Sequence, residues 1–406
     1  MNLFEDVIMI ETDVLVVGAG PAGSMAAKHA ALGGADVILI DKKSEIGTPK
    51  RCAEGVYESG LRWLEIEPDP AWIAQRINGG VIVAPNGTRL VLDETILPEK
   101  GYILERKIFD KHMAMDAGRA GSKIMVKTLF KSLRRADENG EFFIVDCQRM
   151  DKSFQIKARI VIAADGPESH VARKAGINTA TKPADMMSGV QYEMVGVDCP
   201  RMDLIELHMG SFAGGGYAWI FPKGDDIANV GIGINDHKNG KAPIEYLNEF
   251  IETSPSLSNA QAVELNVGGD PIGGLIENIY ADNILVCGDA AGQVDQVTGG
   301  GIILGMLGGR ASGIAAANAV RDNDCSKEKL KEYEKLYGEA TFKALPKIKV
   351  IKDLMDSFSD DDLNEIIEYF AALDLKGLSL SDAIKLFFKL SPRLTIKFRK
   401  LFKLIL

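Results

Sequence analysis

The chain has 406 residues, 46% of them hydrophobic and 26% charged, which predicts two or three domains with ample cores. Its net charge of −10 argues against nucleic acid as the main partner. Five scattered cysteines with no C-x-x-C pair, and five histidines with no H-x-x-x-H, predict reduced thiols and no metal site.

In chain order, "TDVLVV" at 12–17 predicts a buried strand, "GAGPAG" a tight turn, and the residues from about Ser24 to Leu32 a helix. A second strand, "ADVILID", ends at Asp41 and completes a βαβ start. Residues 48–60 form a loop holding "PKRCAEG". Residues 78–95 predict a hairpin around the turn "PNG". "LERKIFDKHMAMDAGRAG" predicts a helix, and residues 123–147, 153–163 and 188–235 predict strands. A late strand enters "NILVCGDAAG" at 283–292, a glycine-rich turn follows, and a long helix runs over about 301–320. From Lys327 the pattern is helical to the end. With Glu5 and Asp6 near the start there is no basic n-region, so no secretory signal is expected. No apolar run reaches about 18 residues, so no bilayer span is expected.

Gly18, Gly20 and Gly23 form G-x-G-x-x-G between a predicted strand and helix. The first glycine makes the turn, the second admits a pyrophosphate to the backbone, and the third lets helix and strand pack closely. Asp41, 18 residues past Gly23, stands where a carboxylate takes ribose hydroxyls. Two further acidic turns follow strands, Asp165-Gly166 and Gly288-Asp289. A remote second acid suits FAD rather than NAD, because a ribityl chain and ring need distant contacts. Asp289 can accept from a ribityl hydroxyl or act as a helix N-cap. The amides around Gly299 to Ile302 can face the flavin's pyrimidine edge.

GAGPAG, Arg106 in "LERKIFD", ADG at 164–166 and GDAAG at 288–292 together resemble the flavoproteins of the para-hydroxybenzoate-hydroxylase type over roughly residues 10–320. Within that group "PKRCAEG" at 49–55 and "GYAWIFP" at 216–222 resemble the geranylgeranyl reductases, nearest to the archaeal digeranylgeranylglycerophospholipid reductases. The resemblance implies an α/β fold. A Rossmann-type FAD-binding domain (10–75, 100–185, 270–322) carries an inserted antiparallel-sheet substrate domain (76–99, 186–269), and a helical C-terminal region follows (323–406). It implies FAD contacts from Ala22, Asp41, Cys52, Ala53, Gly55, Arg106, Phe130, Asp289, Gly301 and Ile302, beside the fingerprint glycines. It also implies reduction of the C=C bonds of geranylgeranyl chains on ether lipids. Asp295 and Gln296 stand where relatives carry a proline, a departure that touches the lie of the loop over the flavin.

Tyr217, Trp219 and Phe221 alternate along one strand and share a face. In that family this strand lines the substrate cavity; the plainer reading is a core strand. Moving a chain from bilayer to protein nets near zero if the lining is equally apolar, and a polar site could not compete, since each methylene is worth about 0.8 kcal/mol and the bilayer already supplies it. Cys52 is the candidate proton donor, with an inert thiol as the alternative. One nucleotide fingerprint and no redox cysteine pair mean that an external donor supplies the electrons. After Asp382 come seven basic residues and no acid. Leu386, Leu390, Leu394, Phe398, Leu401 or Phe402, and Ile405 fall near one helical face, with Ser391-Pro392 placed to cap and start the last helix. Such a tail docks on a membrane surface or packs on the body. The expected location is cytoplasmic, peripheral on the inner face of the cell membrane. A flavin monooxygenase of the same fold and a non-catalytic flavin-binding lipid carrier are the rival functions.

Overall fold

The computed structural model describes residues 8–96, 99–136, 140–235, 240–377, 386 and 390–405, without the side chains of 339–340, 342–344, 346 and 399–405. The chain runs β1 (Met9–Val17), α1 (Pro21–Leu32), β2 (Val37–Ile40), β3 (Gly55–Tyr57), α2 (Glu58–Trp63), β4 (Ile73–Ile77), β5 (Gly80–Val83), β6 (Arg89–Leu92) and β7 (Gly101–Leu104). Next come α3 (Arg106–Arg119), β8 (Lys123–Met125), β9 (Thr128–Arg135), β10 (Phe143–Arg149), β11 (Lys152–Ala163), α4 (His170–Lys174), β12 (Met186–Val195), β13 (Ile205–Met209), β14 (Tyr217–Gly224) and β15 (Ile227–Ile234). The remainder is α5 (Pro243–Thr253), β16 (Gln261–Pro271), β17 (Tyr280–Ala281), β18 (Ile284–Val286), α6 (Ile302–Arg321), α7 (Lys327–Leu330), α8 (Glu332–Tyr337), α9 (Glu339–Met355), α10 (Asp360–Ala371) and α11 (Pro392–Ile405).

These elements form two compact units, each assembled from three stretches. The first is Met1–Lys50, Arg106–Lys182 and Pro271–Pro346; the second is Arg51–Glu105, Pro183–Asp270 and Lys347–Leu406. The domain bounds expected from sequence differ from these chiefly in three places. Residues 51–75 and residues 100–105 both fall in the second unit, where β3 and β4 pair with β7. The helical C-terminal region is divided after Pro346 rather than standing alone.

In the first unit the sheet order is β17-β18-β11-β1-β2-β8, and β11 also pairs with β10 and β10 with β9. The β11/β1/β2/β8 and β11/β18 pairs are parallel, and β9, β10 and β11 are antiparallel. Val14–Val17, Val37–Ile40 and Ile160–Ala163 are buried throughout, as parallel strands covered on both faces must be. Helix α1 starts at Pro21, earlier than Ser24, because a proline fits the first helical position without losing a bond. Helix α6 is long and apolar enough by composition to cross a membrane, yet 67% of that stretch is buried. It packs against α1 at glycines: a Cβ on Gly309 would stand 2.0 Å from Ala22 O, and one on Gly313 would stand 2.3 Å from Ala26 O.

In the second unit a seven-stranded sheet runs β16-β12-β15-β14-β13-β5-β6, with β3-β7-β4 as a separate small sheet. The large sheet is antiparallel where expected, but β13 and β5 pair in parallel. Helix α5 covers one face, where Ala218, Ile220, Val230 and Ile232 meet Leu247 and Phe250. The alternate residues Tyr217, Trp219 and Phe221 point to the opposite face.

The tail packs on its own unit. Leu390, Leu394 and Phe398 are buried against Leu354, Phe358, Ile366 and Tyr369. Arg393 and Lys397 reach the buried Asp362 at 2.8 and 2.7 Å. Ser391 makes no capping bond: its Oγ is buried with no hydrogen-bond partner among the described residues, while its N–H donates to Glu365 Oε1 at 2.7 Å. Lys385 and Lys389 lie outside the described residues, as do the side chains of Arg399, Lys400, Leu401, Phe402, Lys403 and Ile405.

Candidate functional site

The glycine turn after β1 is built as its spacing predicts. Gly18 has φ +103°, and a Cβ there would strike Ala164 O at 2.2 Å. A Cβ on Gly23 would stand 1.8 Å from Gly18 O, so α1 rests directly on the turn. Gly20 differs: no protein atom lies within 4 Å of where its Cβ would be. That open space fronts the first turn of α1, where no side chain caps the amides. Asp41 accepts from Ala19 N–H on Oδ2 and Lys43 N–H on Oδ1, both at 2.8 Å. It therefore ties the exit of β2 to the glycine turn, and each oxygen keeps a lone pair. Thr128 N–H donates to Asp41 O at 2.8 Å, which brings the strand of Phe130 to this edge; Phe130 itself is half-buried opposite Cys147.

The second half of the first unit's site comes from residues far along the chain. Asp165 accepts from Val171 N–H on Oδ2, while its buried Oδ1 has no partner among the described residues. Burial pushes this carboxyl up, against the pull of the Val171 amide. Asp289 lies in a 3-10 turn, Gly288–Ala291. It is not the N-cap of α6, whose N-cap is Gly301 with no side-chain capping bond. A Cβ on Gly301 would stand 3.3 Å from Asp289 Oδ1, so carboxylate and helix start face each other. Burial raises the Asp289 carboxyl, opposed by the Arg106 guanidinium. Arg106 itself makes a two-pronged ion pair with Asp110 at 2.7 and 2.9 Å. Asp295 closes the loop before α6, accepting from Val297 and Thr298 N–H at 2.9 and 2.8 Å. Gln296 donates to Leu345 O at 3.1 Å. Asp295 and Gln296 thus fasten the loop by side-chain bonds.

Cys52, Ala53 and Gly55 belong to the second unit, with Tyr217, Trp219 and Phe221; all other candidates belong to the first. Gln191 Nε2 donates to Cys52 O at 3.1 Å, and Gln191 Oε1 accepts from Trp219 Nε1–H at 2.9 Å. Asn229 Nδ2 donates to Ala53 O at 3.2 Å and to Glu54 Oε2 at 2.8 Å. Lys223 Nζ lies 2.9 Å from Glu54, 2.9 Å from Glu105 and 3.0 Å from Glu193. Asn229 is fully buried, and its Oδ1 has no partner among the described residues, a cost of roughly 1–3 kcal/mol. Gly55 leaves room for the Phe221 ring, whose edge would lie 3.2 Å from an added Cβ. Trp219 is buried across Gly231, where a Cβ would stand 2.3 Å from its ring. Tyr217 and Phe221 are half-buried on either side, at ring distances of 5.9 and 6.4 Å from Trp219. The aromatic row is therefore part core and part open wall.

A model described as the geranylgeranyl reductase catalytic domain matches residues 185–269, and one described as an FAD binding domain matches residues 13–61. A digeranylgeranylglycerophospholipid reductase of Methanosphaera stadtmanae is 54% identical over 398 residues, covering 98% of each chain. The chain belongs to that reductase family. A second member, from Methanothermobacter thermautotrophicus, is 53% identical over 98% of this chain and 100% of its own. The crystal structure of a geranylgeranyl bacteriochlorophyll reductase-like protein from Thermoplasma acidophilum superposes with TM-score 0.88 at 34% identity, covering 97% of this chain and 100% of that one. A flavin-dependent brominase shares the fold alone, at TM-score 0.70 and 17% identity.

This reductase-family chain is an FAD-dependent oxidoreductase, and its first unit fits the cofactor. The space in front of Gly20 suits a phosphate beside free helix amides. The orphaned Asp165 Oδ1 is a buried acceptor lacking a donor, which a hydroxyl of a dinucleotide supplies. Gly18, Gly20, Ala22, Gly23 and Asp41 form one group, and Asp289, Gly301 and Ile302 a second. The buried strut behind the second group was not legible in the sequence: Gly288 N–H donates to Gln293 Oε1, Gln293 to Tyr333 OH, and Tyr333 to Val286 O. Nor was Glu54, in the turn before β3, nor were Lys223, Gln191 and Asn229, polar residues scattered through apolar strands. The one available signal was their polarity at positions where a core strand calls for hydrocarbon.

Proposed function

We propose that this chain saturates the C=C bonds of geranylgeranyl chains on ether phospholipids, the activity carried in the names of relatives 54% and 53% identical over nearly the whole chain. Within the molecule the supporting observation is the aromatic row on β14, with the Cys52 turn tied to Trp219 through Gln191. An apolar wall beside a single held thiol suits a long hydrocarbon that must offer one double bond at a time. Bound FAD supplies the hydride equivalent. The chain's own residues orient the alkene along Tyr217, Trp219 and Phe221, exclude water there, and hold a proton at Cys52 Sγ for the second carbon. In this reading the flavin is held through Gly18, Gly20, Ala22, Gly23, Asp41, Arg106, Phe130, Asp289, Gly301 and Ile302.

The lipid comes from a membrane, so the reading includes attachment at the inner face of the cell membrane, and electrons come from an external donor. With the apolar face of α11 covered and Arg393 and Lys397 engaged by Asp362, the exposed Ile396 and the basic residues near the end of the sequence are the groups assigned to that contact. Dithionite-reduced protein, kept without oxygen and given a digeranylgeranyl ether phospholipid, should yield product heavier by two hydrogens for each bond reduced. Product that appears only with oxygen, carrying an added oxygen atom, would establish a monooxygenase. Tight lipid binding with no product would establish a carrier.

A further inference from the structure

Nothing in the prenyl-reductase reading uses Lys223, yet it is one of the most completely buried cations in the second unit, with 2% of its side chain exposed. It spends its three donors on three carboxylates, Glu54, Glu105 and Glu193. Glu54 is fully buried and stands two residues after Cys52. Its φ is +74°, in the left-handed region that glycine occupies freely and glutamate does not. If only a turn were needed here, glycine would serve better. The chain instead uses a residue whose carboxylate must be buried and neutralised.

We propose that Lys223 is a positioning residue: by holding Glu54 in this conformation it sets where the Cys52 thiol stands against the aromatic row. Three successive residues of the turn are tied to three different strands, Cys52 O to Gln191 on β12, Ala53 O to Asn229 on β15, and the Glu54 carboxylate to Lys223 on β14. The peptide N–H of Glu54 donates to Cys52 Sγ at 3.1 Å. The setting of the Glu54 peptide and the place of the sulfur are therefore coupled through this bond. Lys223 is poorly suited to carry the proton itself. Burial favours its losing a proton, but Glu54 and Glu105 outweigh burial and hold the ammonium charged well above its ordinary range. Its role is geometric.

Lys223→Met alone strands a buried carboxylate, so the test uses two variants that avoid this. Lys223→Met/Glu54→Gln removes both buried charges at nearly constant volume. Glu54→Gly keeps the turn's conformation accessible and leaves Lys223 with Glu105 and Glu193. Both are made in a Cys199→Ser/Cys325→Ser background, since Cys147 and Cys287 are buried. The first readout is the iodoacetamide alkylation rate of Cys52, followed by peptide mass spectrometry without lipid; a change of about fivefold or more is expected in both variants. The second is lipid reduction by the dithionite-reduced protein, where kcat should fall about tenfold or more with KM little changed, because misplacing a reacting group costs rate rather than binding. The kinetic readout rests on the prenyl-reductase reading; the alkylation readout does not. If either variant folds and matches its parent background in both alkylation and kcat, Lys223 does not position Cys52. If alkylation shifts but the parent reduces no lipid, the positioning stands and the functional reading fails.

Discussion

Cutting the chain before Ser391 should unfold the second unit rather than merely detach a membrane anchor. The cut removes Leu394 and Phe398, 0% and 4% exposed. It uncovers Phe358, whose ring centroid lies 5.5 Å from that of Phe398. At roughly 2 kcal/mol for each buried side chain, the apolar loss is about 4 kcal/mol. The same cut takes both cations from Asp362, which also closes the capping box of α10 with Ser359. A domain holds only about 5–15 kcal/mol in total, so a loss of this size removes much of the margin. Leu394→Ala is the milder form and should cost about 3 kcal/mol. All three tryptophans, Trp63, Trp72 and Trp219, lie in the second unit, so their fluorescence during urea unfolding reports it selectively. The truncated chain should be aggregated, or should unfold well below the parent's urea midpoint. A truncated chain whose tryptophan transition coincides with the parent's would refute the packing argument and return the tail to the membrane-anchor reading.

Gly20→Ala should leave the urea midpoint unchanged, because no protein atom meets the new methyl, yet weaken FAD binding in a fluorescence titration; unchanged affinity would move the phosphates elsewhere. Asp289→Ala should lose FAD on gel filtration while keeping the far-UV spectrum of the parent. Glu206 is buried, which opposes ionisation, but His208 and Arg89 hold its carboxyl down to about 2 from an ordinary 4.5. A depressed carboxylate stabilises above its unfolded value and loses that stabilisation as pH falls towards its folded one. The urea-midpoint gap between the parent and Glu206→Gln should therefore correspond to about 3 kcal/mol at neutral pH and shrink from about pH 4.5 downward. A gap that does not change with pH would show that the carboxylate's charge is not what counts. Reversing Arg399, Lys400 and Lys403 to glutamate should weaken binding to anionic vesicles at low salt, at about 1 kcal/mol per residue, and unchanged vesicle binding would remove these residues from membrane contact.

The βαβ start, the glycine turn and the late GDAAG turn were legible because they are local: strand, turn and helix signals sit within a few residues of each other. The long-range fastenings were not. Glu54, Glu105, Glu193 and Lys223 are far apart in sequence, and each alone reads as an ordinary charged residue. Glu193 comes from β12 and Lys223 from β14, while Glu54 and Glu105 flank the β3/β7 pair, so only the assembled sheets bring them together. The tail shows a different limit. Its periodicity revealed an apolar face that needs cover, but a period says nothing about whether bilayer or protein provides it, and here α10 and the residues before it do. That residues 51–75 fall in the second compact unit has a similar cause. The loop follows the nucleotide-binding motif in sequence, while its partner strand β7 comes decades of residues later.

The crossing of α1 and α6 has a consequence for how the protein is made. Ala22 and Ala26 belong to one of the first helices to leave the ribosome, and Gly309 and Gly313 to one synthesised three-quarters of the way through. Strand β11 likewise waits for β18. The first unit cannot close until α6 has emerged, and contacts so distant in sequence form slowly. Until then the nascent chain carries an uncovered apolar face on α1, and next a twenty-residue helix that is long and apolar enough by composition to cross a membrane. Packing of α6 on α1, through glycines that let the two backbones touch, is what buries that helix. Bulkier residues at Gly309 or Gly313 should therefore show up first as mistargeted or degraded chains, before any loss of activity per molecule can be measured.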